Sequence, residues 1–520
     1  MAAPRYVSAS VKGPASYIIA GSMLLLLAAT ILQSANQAKT EAQPDWVQKE
    51  HDATISGQEI KYQTTAGLMP IRAHNGDVEG RIFFVSYKRT NLPPNSKRPL
   101  LFLFNGGPGS ASVWLHLGLV GPKRPKMGSS EGFMPPPPYE LIPNSESLLP
   151  DTDFVTIDPV GTGYSSPEKP ELGAKFWSVD GDISSVGEFI RSYLTTENRW
   201  LSPIFVMGES YGGVRGSGLS NWLHEHGVGL NGLILISPYL GTIVQDGGKG
   251  NDSPYAFNLP TYVDAAWYHK KLDPDMQKKT VDQVYHEALD FAYDEYLPAL
   301  DRGDNLTKER RASLIAKLHH LTGLSETYLE DTNLRISDNN WYKELMRKDR
   351  YVMGRYDSRF VGMDRVWNTD SPDNDPSYTQ VNGPFTSTIN DYLANDIGYK
   401  TTKRYYILGE GITGPWKMPD GVLDESESLR TALTNNPYTK VMVAMGYYDL
   451  ACPMGTVDQV LDKMELDPRL KGNVVRHRYP AGHMIYLDDA CRKQLHSDIA
   501  SFIKSQTAPS APVGTVRPKT

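Results

Sequence analysis

The sequence predicts an α/β fold with a mostly parallel central sheet and a mainly helical insertion. Three observations lead to it. Five continuous apolar runs, "PLLFLF" (99–104), "DFVTID" (153–158), "PIFVMG" (203–208), "GLILIS" (232–237) and "KVMVAMG" (440–446), end at Gly, Pro, Asn or Asp, as strands buried on both faces do. Helix-like stretches such as "DGDISSVGEFIRSYL" (180–194) fall between them. A long amphipathic, aromatic-rich tract separates the fourth run from the fifth.

The elements follow in chain order. Arg5 and Lys12 precede the apolar run Tyr17 to Leu32, which is shorter than the roughly 20 residues of a membrane span. Positive flank, apolar middle and small polar exit make residues 1–42 an export signal. No small-x-small cleavage site follows, so an uncleaved membrane anchor is the alternative. Either reading places the rest of the chain outside the cytoplasm, periplasmic or secreted. After a polar linker, "ISGQEIKYQTT" and "EGRIFFVSYKR" alternate apolar and polar residues, as half-exposed antiparallel strands do. They open the first part of the core, 43–241. Residues 242–430 form the helical insertion, with "TYVDAAWYHKKL", "KKTVDQVYHEALDFAYDEYLPAL" and "KERRASLIAKLHHL" as its helices. It is expected over the C-terminal edge of the sheet, where α/β enzymes bind ligands. The second part of the core is 431–506, and 507–520 has the composition of a disordered tail.

Composition excludes several classes. The 520 residues are 40% hydrophobic and 22% charged, within the soluble globular range. Net charge is -7 with no basic block, which gives nucleic acid no footprint. The two cysteines, Cys452 and Cys491, rule out a Cys-x-x-Cys metal site and a disulfide-rich scaffold. They are read as separate buried thiols, with a single bridge as the alternative. No metal or cofactor is called for.

The chemistry gathers around Gly208-Glu209-Ser210-Tyr211-Gly212, a Gly-x-Ser-x-Gly motif. Chance alone produces it in roughly one chain in five of this length. Its context is more specific. "PIFVM" precedes it as a strand and Gly213 to His226 follow as a helix, the setting of a nucleophile elbow in an α/β-hydrolase fold. A serine needs a base, and this fold orders the groups Ser, Asp or Glu, then His. Asp449 after "KVMVAMGYY" and His483 in "YPAGHMIY" both stand where a strand ends. His116 precedes the serine, breaks the order and reads as a buried or supporting residue. His224 and His226 end a helix without a ligand cluster and read as a solvated face. The turn "FLFNGGPGSAS" follows a strand, and its Gly106-Gly107 amides, with that of Tyr211, could receive a developing oxyanion.

"NGGPGSAS", "DPVGTGYS", "GESYGG", "GYYDLACPMGT" and "AGHM" together, in this order from Phe102 to Met484, resemble the serine carboxypeptidases. The resemblance implies Ser210 as nucleophile, His483 as base and Asp449 as the orienting acid. It also implies oxyanion amides at Gly107 and Tyr211, and Asn105 and Glu209 as holders of the C-terminal carboxylate of a peptide substrate. The sequence departs from that pattern in three places. Ser110 stands where the family usually has a cysteine, and the family's several disulfides have no counterpart. The family's Gly-Asp-x-Asp becomes Gly446-Tyr447-Tyr448-Asp449, leaving Asp449 as the one candidate acid. Leu119 replaces a glutamate that pairs with the elbow glutamate in many members, which bears on exopeptidase specificity. A serine esterase or acyltransferase with the same triad is therefore the second reading. A non-catalytic binding protein on the same fold is the third, and the intact Ser, Asp and His argue against it.

Overall fold

The computed structural model describes residues 46–93, 96–241, 247–419 and 422–507. The expected signal or anchor over 1–42 lies outside the described residues, as does the tail from residue 508. Among the described residues no helix is long and apolar enough to cross a membrane.

The main strands are β1 (Val47–Ile55), β2 (Gln58–Arg72), β3 (Val78–Arg89), β4 (Leu100–Phe104), β5 (Asp153–Asp158), β6 (Ile204–Glu209), β7 (Gly232–Ile236), β8 (Lys440–Gly446) and β9 (Val474–Tyr479). They lie in the order β1-β2-β3-β5-β4-β6-β7-β8-β9. The first three pair antiparallel, β3 meets β5 antiparallel, and every pairing from β5 to β9 is parallel. A two-residue strand, Ser166–Pro167, pairs with β3. This is the mostly parallel sheet that the apolar runs predict, with each of the five buried strands within a residue of its expected bounds.

Helices of nine residues or more are α1 (Val179–Thr196), α2 (Gly212–Glu225), α3 (Ser253–Tyr268), α4 (Val281–Phe291), α5 (Lys308–Thr322), α6 (Pro376–Asp391), α7 (Ser426–Asn435), α8 (Met454–Asp462) and α9 (Asp489–Thr507). α1 starts where Ser178 Oγ accepts the Gly181 N–H, a cap that satisfies one of the free amides of its first turn. Its apolar side, Ile183, Val186, Phe189, Ile190 and Tyr193, covers one sheet face together with α2. The opposite face is covered by α9 and by the segment from α6 to Ile397.

β3 differs from its sequence reading. Alternation predicts a half-exposed strand, yet Ile82 to Tyr87 are all buried. Phe84 packs on Phe189 and Tyr193 of α1, while Phe83 meets Tyr399 and Tyr87 meets Tyr392 across the sheet. A strand flanked by β2 and β5 and roofed on both sides has no solvent face.

Between β7 and β8 the chain is mainly helical. α3, α4 and α5, with the shorter helices up to Glu344, close around their own apolar core, which includes Phe257, Tyr262, Leu318 and Trp341. α6 joins the core of the sheet instead, through Val381, Phe385 and Ile389. Residues 402–419 carry no helix. They run as an extended strap, with the Ala111 amide on the Ile407 carbonyl, Gly163 on Tyr406, Gly409 on Gly109 and Lys417 on Trp177. α7 then packs Leu429 and Leu433 into the cluster that holds Leu219 and Leu223 of α2.

Candidate active site

The chain order reverses between β4 and β6: from β4 it passes to β5 on one side, then to β6 on the other. Such a switch opens a crevice at the strands' C-terminal ends. Register fixes what stands there. Phe104 lies opposite Gly208, so the next residues, Asn105 and Glu209, emerge side by side. Ser210 follows Glu209 directly.

Ser210 has φ +63°, a left-handed conformation that a residue with a side chain holds only when its surroundings impose it. Its amide bonds the Ile236 carbonyl at 3.1 Å, and its carbonyl accepts the Gly213 amide at 2.7 Å and the Tyr239 amide at 2.8 Å. The turn is also too tight for a side chain before it. A Cβ on Gly208 would sit 2.2 Å from the Gly212 carbonyl oxygen, and one on Gly106 would sit 2.4 Å from the Tyr211 amide nitrogen. These glycines bring the loop after β4 against the elbow. The Gly107 and Tyr211 amides make no hydrogen bond among the described residues, and both residues line the cleft.

His483 and Asp449 come from the loops after β9 and β8. His483 Nδ1–H donates to Asp449 Oδ2 at 2.8 Å, with both side chains buried. Asp449 Oδ1 accepts the amides of Ala451 and Cys452 at 2.8 and 2.9 Å. Burial works against a charge on His483, but the Asp449 carboxylate outweighs it and holds the imidazole above its ordinary range. Ser210 and His483 line one cleft of about 470 Å³. Among the described residues the Ser210 hydroxyl makes no hydrogen bond to His483; such pairs commonly tighten only around substrate.

Beside them lies a buried polar group of three. The Asn105 side-chain carbonyl accepts the Leu115 amide at 3.0 Å, which turns its NH₂ toward the cleft. That NH₂, one Glu209 oxygen and the Tyr486 hydroxyl face one another, buried and without a well-directed hydrogen bond. Burial pushes the Glu209 carboxyl up to about 7, against the lowering effects of the His483 charge and of the neighbouring Tyr486 phenol. Buried polar groups left unpaired cost about 1–3 kcal/mol each, so the trio is poised to receive a polar partner.

The sequence reading missed residues that brace the site. Arg215 of α2 is fully buried; it donates to Asp182 of α1 at 2.7 Å and to the Asn105 carbonyl at 2.5 Å. In sequence it is a stray charge on an apolar helix. Asp158, in "DPVGTGYS", accepts the Ser112 amide at 2.8 Å and ties the end of β5 to the turn after β4; burial raises it to about 6. Tyr486 carried no sequence signal, because its meaning depends on Gly118: a Cβ there would lie 2.3 Å from the Tyr486 ring.

His116 stands apart from the cleft. It bonds the Tyr87 hydroxyl at 2.6 Å, and burial lowers it to about 3, so it stays neutral. His226 lies exposed at the end of α2. Cys452 and Cys491 are both buried and unbridged. Among the described residues two groups of three could face a metal ion: Asp449, Cys452 and His483 in the cleft, and the partly exposed Asp273, Asp275 and His320.

A profile of the family described as serine carboxypeptidase matches residues 55–485. The chain belongs to the serine carboxypeptidase family. It is 24% identical over 257 residues to serine carboxypeptidase-like 34 of Arabidopsis thaliana, covering 46% of each chain. It is 30% identical over 165 residues to the pheromone-processing carboxypeptidase KEX1 of Saccharomyces cerevisiae, covering 29% of this chain and 21% of that protein. These matches span less than half the length of either relative. The crystal structure of KEX1(delta)p superposes with a TM-score of 0.53 at 16% identity, covering 85% of this chain and 91% of that one, and shares its fold. Within this serine carboxypeptidase family pattern, Ser110 fills the usual cysteine position and accepts a hydrogen bond from Trp114 Nε1 at 3.0 Å. Leu119 is buried in the apolar core, leaving Glu209 with a phenol as neighbour.

Proposed function

We propose that this chain is a serine carboxypeptidase that removes C-terminal residues from peptides through an acyl-enzyme on Ser210. The observation that most supports this is the polar trio of Asn105, Glu209 and Tyr486 beside Ser210. An exopeptidase needs a receptor for the substrate's terminal carboxylate one residue from the nucleophile. The β4–β6 register supplies donors at that distance. A substrate without a carboxylate leaves these buried groups unpaired, which a site built for hydrogen bonding penalises heavily.

In this reading the peptide carboxylate takes hydrogen bonds from the Asn105 NH₂ and a protonated Glu209. Ser210 Oγ attacks the last peptide carbonyl while His483 Nε2 accepts its proton. The charge forming on the carbonyl oxygen meets the amides of Gly107 and Tyr211. Asp449, held by two amides, keeps the Nδ1 proton in place and stabilises the imidazolium. His483 then protonates the leaving amine, and a water activated by the same histidine hydrolyses the ester. Tyr486 takes the place of the missing second acid: its phenol faces Glu209 and stays un-ionised, because burial raises it well above its ordinary value. The later part of the insertion, which lines the cleft through Arg355, Tyr356, Tyr378, Leu408 and Met418, serves as its cap, and residues 1–42 direct export.

The test is a pair of N-blocked dipeptides, one with a free C-terminus and one amidated, assayed with the wild type and with protein labelled by a fluorophosphonate. Cleavage of the free acid alone, with the label found on Ser210, supports the proposal. Equal cleavage of the amide, or label on another serine, refutes it.

A further inference from the structure

Arg355 is an exposed cation that lines the cleft beside Tyr356, Ala451, Cys452 and His483. Its position is set by the two loops that carry the histidine and the aspartate. Its carbonyl accepts the Leu450 amide at 3.1 Å, and the next carbonyl, of Tyr356, accepts the His483 amide at 2.6 Å. The Tyr356 ring lies 5.3 Å from the His483 ring, and the guanidinium stands 5.6 Å from the Tyr356 ring centroid. The side chain is thus delivered by a segment fixed to the reacting groups.

What it lacks is a carboxylate. Arg359, four residues on, is buried and paired with Asp357 at 2.8 Å and Asp488 at 3.1 Å. Arg355 makes no ion pair among the described residues. Desolvation opposes its charge, but the phenols of Tyr342 and Tyr356, the Cys452 thiol and Asp449 outweigh it and keep it cationic. Asp449 is not free to pair with it, since both its oxygens are taken by His483, Ala451 and Cys452. Asp375 accepts the Arg355 backbone amide at 3.1 Å, and its other bonds go to Ser377.

The placement has a direction. Asn105 and Glu209 stand at the ends of β4 and β6, whereas the Arg355 carbonyl holds Leu450 in the loop after β8, two strands further along the sheet. Glu209 and Arg355 therefore reach the one cleft from different strands. A peptide whose terminal carboxylate sits at Asn105 and Glu209 runs past Ser210 toward Arg355. We infer that Arg355 receives a side-chain carboxylate on the acyl side of the scissile bond, so that the enzyme favours peptides with Asp or Glu as the penultimate residue. This rests on the carboxypeptidase reading above. A planar guanidinium stacked on a phenol ring, with no carboxylate partner among the described residues, suits a carboxylate better than a neutral amide.

The experiment compares kcat/KM for N-blocked dipeptides with Glu, Gln, Ala or Lys in the penultimate position and Ala at the C-terminus, and for a peptide with the Glu moved to the C-terminal position. Glu and Gln differ in charge and not in shape. The expected Glu-to-Gln ratio is roughly 5–20 at low salt, shrinking as ionic strength rises. Arg355→Gln brings the ratio to about one. Arg355→Glu inverts the preference toward Lys, a gain that misfolding cannot produce. A wild-type ratio near one with good cleavage of the Ala and Gln peptides overturns this inference and leaves the carboxypeptidase reading standing. A preference that follows Glu to the C-terminal position also overturns it. Failure to cleave any of the peptides overturns both.

Discussion

Ser210 is held at φ +63° by three backbone hydrogen bonds, so its side chain can be removed without loosening the turn. Ser210→Ala should therefore keep the fold and lower kcat by roughly 10⁴-fold or more, read by single-turnover assay against circular dichroism of the same sample. A folded variant with near-normal turnover would remove Ser210 from the mechanism. Asp449→Asn keeps the shape, but the Ala451 and Cys452 amides hold its carbonyl oxygen, so its NH₂ faces Nδ1 and favours the wrong tautomer, which should cost about 10⁴-fold. The pH dependence follows from two neighbours with opposed needs. Glu209 lies near 7, and only its protonated form donates to a substrate carboxylate. His483 is raised above its ordinary range, and only its neutral form accepts the serine proton. Cleavage of peptide acids needs protonated Glu209 and neutral His483 together, so it should pass through an optimum, falling about tenfold per unit on either side, with both limbs set by the pair rather than by one group alone. An ester without a carboxylate should show the acid limb alone. Glu209→Gln should erase the alkaline fall for peptide acids, whereas Tyr486→Phe, which removes a polar neighbour that lowers Glu209, should move that fall to higher pH. Matching profiles for acid and ester substrates in the wild type would contradict the role given to Glu209. At this scale the triad candidates were legible, because strand–turn–helix context and chain order are written in the sequence. Tyr486 was not, since nothing in "AGHMIY" tells that its ring fills the space above Gly118.

The elements place these residues through pairing and a buried ion pair. β4 and β6 set Asn105 beside Glu209 by register, and α1 and α2 are locked by Asp182 and Arg215, whose side chains are 3% and 0% exposed. Arg215 also holds the Asn105 carbonyl, so the pair joins two helices to the loop after β4. Asp182→Ala strands a buried guanidinium and should lower stability by about 3–5 kcal/mol in chemical denaturation. A loss under about 1 kcal/mol would mean that Arg215 finds another partner or reaches water. The buried strands were readable because a run apolar on both faces admits few alternatives. β3 was misjudged for a related reason: its Gly80, Arg81 and Ser86 give an alternating pattern, while helix α1 and Tyr392 roof both sides. The strap 402–419 has neither helical nor strand period, and its place comes from backbone bonds to the turns around Gly109, Ala111, Gly163 and Trp177.

The whole molecule is a sheet that puts four loops on one edge, with a helical segment built around a core of its own. Its amphipathic stretches announced helices, and α3, α4 and α5 lie within them or overlap them. How that segment divides was not legible, because α6 and α7 join the core of the sheet through contacts that no local pattern encodes. The proposal that the buried Asn105, Glu209 and Tyr486 receive a peptide carboxylate beside Ser210 makes the central claim one about where a peptide is cut. Digestion of a mixed peptide library, followed by mass spectrometry over time, tests it most directly. The account predicts ladders that lose C-terminal residues one at a time, no change in C-terminally amidated peptides, and no ladder with Ser210→Ala. Internal fragments, or amidated peptides cut as fast as free acids, would contradict it.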